Sequence, residues 1–190
     1  MSNPMTEIQT TRPLRADARR NHEKLVAAAR DAFAEQGTSA SLEAVAETAG
    51  VGIGTLYRHF PNRQALLEAV YTEEVESMAR GTRELADRDP WDAVEEWSQR
   101  YIGFAATKHA LMEAMLEAGP DSDALVGCRT MLRDSGNELI ARAKSAGAIR
   151  PDAEFMDVAR MVGQIALMPN ADAESKERML RIVLDGLRAA

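Results

Sequence analysis

The chain has 190 residues, 45% of them hydrophobic, which is enough apolar material for a buried core in one domain or two small ones. No apolar run approaches the roughly 18 residues of a membrane span, residues 1–15 lack the apolar segment of a secretory signal, and the one cysteine, Cys128, excludes an internal disulfide framework, so a soluble cytoplasmic protein is expected. The net charge of −7 argues against nucleic acid, but residues 12–63 hold eight Arg or Lys against six acids whereas residues from 64 onward carry a net −8. A basic front before an acidic rear suits a DNA-facing module on a solvated body, although chance scatter also produces such a pattern.

Helical spacing recurs throughout and no stretch alternates apolar with polar residues, so an all-α fold of about nine helices is expected. Residues 1–14 read as a flexible basic arm. A first helix is expected from about Asp17, its N-cap, to Gln36, with Leu25, Ala28, Ala29, Ala32 and Phe33 on one face and Gly37 ending it. Ser41 caps a short second helix carrying Leu42, Val45, Ala46 and Ala49, and a third holds Ile53 to Phe60. Pro61-Asn62 breaks the chain before a long fourth helix, 62–86, with Leu67, Tyr71, Val75 and Met78 facing one way. Asp89-Pro90 starts a fifth, bearing Trp91, Val94, Trp97, Tyr101 and Phe104. Leu111, Met112, Met115 and Leu116 form a short sixth, stopped by Gly119-Pro120. A seventh runs from about Asp123 to Ala146, an eighth opens at Pro151, and a ninth begins near Ala173.

Residues 41–60, SLEAVAETAGVGIGTLYRHF, have the pattern of a helix-turn-helix. Ala46 lets two helices cross closely, Gly50 suits the left-handed turn, and Val51 and Leu56 pack inward. Ile53, Gly54, Thr55, Tyr57, Arg58 and His59 are left outside. Thr55, Tyr57 and His59 offer hydrogen bonds to phosphate oxygens, Arg58 pairs with a guanine edge or a phosphate, and Ile53 meets a thymine methyl. Gly54 permits close backbone approach. Arg63 and Ser41 are expected at flanking phosphates, and Arg12, Arg15, Arg19 and Arg20 along the backbone or in the minor groove. Arg19 and Arg20 would sit unfavourably near the first helix's N-terminus, a cost that a nearby phosphate would offset.

Residues 19–70 resemble the DNA-binding domain of the tetracycline-repressor (TetR) family of transcriptional regulators, through AAARDAFAEQG, SLEAVAETAGV, GTLYRHF and NRQALLEAV. The resemblance implies phosphate contacts from Ser41, Thr55, Tyr57, His59 and Arg63 and base readout around Ile53, Gly54 and Arg58. It also implies a homodimer in which each subunit reads half of an inverted repeat. Gly52 departs from a frequent polar residue and Arg63 from a frequent Lys, which leaves the operator sequence open. The domain division expected is an arm (1–14), a DNA-binding domain (15–62) and a helical ligand-binding and dimerisation domain (63–190).

The same residues admit other readings. Gly50, Gly52 and Gly54 miss the GxGxxG spacing because Thr55 stands at the third glycine. His22 and His59 lack zinc-spaced partners, so no metal and no cofactor are expected. No convergent acid, base or nucleophile supports an enzyme. Trp97, Tyr101, Phe104, Met112, Met115, Cys128 and Met131 are either ordinary core or the wall of a cavity for a small apolar or aromatic effector. The resemblance places a regulatory pocket among these helices. Cys128 is expected to be a buried, inert thiol. The last two helices have apolar faces too broad for one monomer, which points to a four-helix bundle with a second copy and recognition helices roughly 34–36 Å apart. Ligand-released repression is the expected function. An activator of the same fold and a helical small-molecule-binding protein or enzyme are the alternatives.

Overall fold

The computed structural model describes residues 11–118 and 123–189, with side chains from 16 onward except 38 and 113–124. The described residues form eight α-helices: α1 (Thr11–Gln36), α2 (Leu42–Thr48), α3 (Ile53–His59), α4 (Arg63–Glu84), α5 (Pro90–Ala118), α6 (Asp123–Ser145), α7 (Phe155–Ala166) and α8 (Ala173–Leu187). A 3-10 turn, Gly37–Ser39, links α1 to α2. These residues divide into two compact units at Val70 and Tyr71 within α4, the first also taking in Glu113–Ala118.

Three expectations are corrected. α1 starts at Thr11, so residues 11–14 are helical and Asp17 is not its cap. Pro13 is tolerated because a first-turn N–H has no intrahelical acceptor to lose. Asp17 instead pairs with Arg20 one turn on, and Arg19 lies 3.5 Å from Glu23. Both arginines sit beyond the first turn with acidic partners, so the expected dipole cost is absent. The side chains of Arg12 and Arg15, and residues 1–10 of the expected arm, lie outside the described residues.

The expected fifth and sixth helices are one helix, α5, because Ala105, Ala106 and Ala110 favour helix and no glycine or proline stands between 104 and 118. Pro151 does not open α7. Arg150 folds onto Asp152 at 2.6 and 2.8 Å, the Ala153 N–H donates to the Arg150 carbonyl at 3.3 Å, and the helix begins only after Glu154.

In the first unit Leu25, Ala29 and Phe33 of α1 are buried with Val45 and Ala46 of α2, Leu56 of α3, and Leu66 and Val70 of α4. In the second, Trp97 is buried, stacked on Tyr101 at 4.7 Å between ring centroids and edge-on to Phe155 at 5.3 Å. Gly136 of α6 makes room for this cluster: a Cβ there would fall 2.0 Å from the Phe155 ring. A bridge between Ile149 and Arg188 ties the end of α6 to the end of α8. No helix among the described residues is long and apolar enough to cross a membrane.

Candidate nucleic-acid interface and ligand clefts

The turn between α2 and α3 is built by the backbone. After α2 the Gly50 N–H donates to the Glu47 carbonyl at 2.9 Å and the Val51 N–H to the Ala46 carbonyl at 3.0 Å. This paired closure needs a left-handed residue at its corner, and Gly50 has φ +69°. At the front of α2 the Ser41 hydroxyl accepts from the Ala44 N–H at 3.3 Å and donates to the Glu43 carboxylate at 2.9 Å. Glu43's own backbone N–H, and then this hydroxyl, hold its carboxyl below the usual range.

α3 rests on Leu56, which is fully buried, and turns its other faces outward. Ile53 and Tyr57, one turn apart, are 37% and 47% exposed. Gly54 and Arg58 are exposed beside them, while Thr55 and His59 are half-buried along the flank. The two side chains put a small apolar area on the outward face of α3. The Arg58 guanidinium folds back on its own helix, donating to the Gly54 carbonyl at 3.2 Å and the Thr55 hydroxyl at 3.3 Å. Those are bonds an exposed side chain exchanges at little cost for a base edge or a phosphate.

Arg63 is placed differently from the residues of α3. It lies over the Phe33 ring at 5.0 Å and donates to the carbonyls of Ala40 and Gly37, fastening α4 to the turn after α1. Ser41 and Arg63 thus both have structural partners at positions where phosphate contacts were expected, whereas Tyr57 and Ile53 stand clear. Arg19 is exposed on α1. His22 lies beside Phe60 at 4.9 Å and His59 at 6.0 Å. No group of three or more metal-ligating side chains is found among the described residues.

Two clefts open among the described residues of the second unit. One, of about 250 Å³ between α4 and α5, is lined by Glu74, Met78, Arg100 and Phe104 among others. The second, of about 330 Å³ between α5 and α7, is lined by Tyr101, Lys108, Met112, Met156, Arg160 and Gly163 among others. Burial raises the Tyr101 hydroxyl pKa, and burial followed by the Arg129 charge lowers that of Lys108.

The expected ligand-wall residues fall at different places around these two clefts. Tyr101 and Met112 line the α5–α7 cleft and Phe104 the α4–α5 cleft, while Trp97 is a core side chain. Cys128 is buried with its sulfur 3.6 Å from the Thr72 hydroxyl, Met131 lines neither cleft, and the side chain of Met115 lies outside the described residues. Lys108, which lines the α5–α7 cleft, was not among the expected residues. The signal was its place on the α5 stripe Tyr101, Ala105, Lys108, Met112, where a charge interrupts an apolar row.

Residues 25–70 match the family model described as bacterial regulatory proteins of the tetR family, and residues 89–189 match that of the SbtR-like transcriptional regulator C-terminal domain. A TetR transcriptional regulator from Streptomyces coelicolor is 36% identical, with a TM-score of 0.75 over 89% of this chain and 99% of that one. A TetR transcription regulatory protein from Mycobacterium vanbaalenii is 33% identical, with a TM-score of 0.78 over 93% of this chain and all of that one (100%). The HTH-type transcriptional repressor KstR of Rhodococcus jostii is 27% identical over 158 residues, 81% of this chain and 73% of that protein.

Proposed function

Because the chain belongs to the TetR family of transcriptional regulators, we propose that it is a cytoplasmic, homodimeric repressor whose α3 reads operator DNA and whose second unit takes a small apolar or aromatic effector. The observation that carries the reading is the outward face of α3, where Ile53 and Tyr57 are exposed without a partner in the monomer's core. Ile53, Gly54 and Arg58 then meet base edges, and Thr55, Tyr57 and His59 hold phosphates. Ser41 and Arg19 supply outer phosphate contacts. Arg63 touches a phosphate only by loosening its carbonyl bonds, so in this reading its larger role is to position α4.

The dimer is formed through α7 and α8. Met161 and Ile182 are exposed on these helices, at 45% and 72%, Met161 at the edge of the stripe buried by Val162 and Ile182 on the face away from Leu180 and Leu184. The repressed state is the ligand-free one. An effector acts through its higher affinity for a state in which the two α3 helices no longer match successive major grooves. α4, which runs through the boundary between the units, is the element that carries this change. The protein works by binding alone and catalyses no reaction.

A mobility-shift assay on the DNA flanking the chain's own coding region tests the assignment of roles. Tyr57→Ala weakens all bound sequences alike, whereas Arg58→Ala changes which sequence is preferred. Unchanged preference in the Arg58 variant removes its base-reading role, and no sequence-selective complex with the wild type removes the proposed function.

A further inference from the structure

We infer that the α5–α7 cleft binds an anion with an apolar body, a carboxylate, sulfonate or phosphate ester on a flat or aliphatic skeleton, with its charged end on Lys108. The inference rests on the reading that the second unit takes a small effector, and narrows that effector to an anionic class.

Three observations carry it. Lys108 is half-buried in the wall of the cleft. Among the described residues it has no carboxylate hydrogen-bond or ion-pair partner, and burial together with the like charge of Arg129 disfavours its charged form. A half-buried ammonium without a carboxylate partner among the described residues is costly to keep charged, and an incoming anion offsets that cost.

The second observation is the sign of the surroundings. The chain carries a net −7, yet none of the described residues lining the cleft is acidic, while Lys108, His109 and Arg160 all line it. Arg160 has Asp157 as a neighbour at 3.3 Å, which leaves Lys108 as the principal anion partner and Arg160 as a screened second charge.

The third is shape. Tyr101, Met112 and Met156 supply an aromatic plate and two deformable thioether walls, and Gly163 leaves the floor open. A Cβ at Gly163 would already lie 3.5 Å from the Tyr101 ring, so a large side chain there fills the cleft. The volume of about 330 Å³ suits a molecule of two or three rings.

The test uses two fluorescent probes that differ in one group, 1-anilinonaphthalene-8-sulfonate and its uncharged parent N-phenyl-1-naphthylamine, titrated into the full-length protein. The sulfonate is expected to bind about tenfold more tightly than the parent. Lys108→Met should abolish that preference while leaving the parent's affinity unchanged, and Lys108→Arg should restore it. Gly163→Leu should reduce binding of both probes. Circular dichroism checks that each variant is folded. Equal affinities for the two probes, absence of binding, or a sulfonate affinity unchanged by Lys108→Met overturns the inference. Operator-fragment binding with and without the sulfonate is read separately. Selective, Lys108-dependent probe binding that leaves DNA affinity unaltered keeps the anion site and refutes the effector reading.

Discussion

Replacing Gly50 by alanine isolates the turn that sets α3 against α2. The position has φ +69°, and a Cβ built there meets nothing within 4 Å, so the substitution costs backbone strain alone. Placing an L residue in the left-handed region costs about 1–2 kcal/mol. For a chain of this size that lowers the melting temperature by about 2–8 °C. The matched control stands four residues on. Gly54 also meets nothing within 4 Å, but it lies inside α3 with no positive φ, so Gly54→Ala should stabilise by about 0.5–1 kcal/mol through restricting the unfolded chain. Gly50→Asn should fall between wild type and Gly50→Ala because asparagine tolerates the left-handed region. Thermal melts followed by far-ultraviolet circular dichroism read all three. A Gly50→Ala melt that matches wild type, or Gly50→Ala and Gly54→Ala shifts of the same sign, would refute this account of the turn.

Gly54→Ala should also separate stability from function: a more stable protein that binds operator DNA more weakly, since the added methyl holds the backbone away from the groove. Undiminished DNA binding removes the close-approach role. Gly136→Ala drives a methyl into the Phe155 ring and should destabilise the second unit by about 1–3 kcal/mol, seen as reduced near-ultraviolet dichroism of Trp97 and Tyr101. An unchanged melt contradicts the packing described. Ser41→Ala removes the α2 cap and should cost about 0.5–2 kcal/mol. Glu43 titrates below its ordinary pKa when folded, so its contribution is fully present above that ordinary value of 4.5 and is lost as pH falls through the lowered folded value. The Ser41→Ala variant should therefore lose part of this acid-side pH dependence, and an acid melt profile parallel to wild type counts against the pairing.

Much of the first unit is legible in the sequence because its signals are local. Ser41 before an apolar helical run and Gly50 at the left-handed corner set the ends of α2, and Gly37 and Gly147, both at positive φ, mark the ends of α1 and α6 in the same way. The misreadings arise where local and tertiary signals compete. Asp17 has the chemistry of an N-cap, but its carboxylate answers Arg20 inside a longer helix. What the sequence does not show of Arg63 is its structural role, because its acceptors Ala40 and Gly37 lie 23 and 26 residues back, beyond any periodic pattern. Lys108 likewise gains meaning only from α7, whose Met156, Arg160 and Gly163 complete the cleft from about fifty residues further along.

The central claim is that two copies of α3 read DNA as a pair. Selecting binding sites from random-sequence duplexes with the full-length protein, then footprinting the winners, tests it most directly. The account predicts an inverted repeat with half-sites centred about 10 base pairs, or a multiple, apart, whose preferred half-site changes in Ile53→Ala and which Tyr57→Ala binds more weakly with unchanged preference. Enrichment of no sequence, or an unaltered preference in Ile53→Ala, would contradict it.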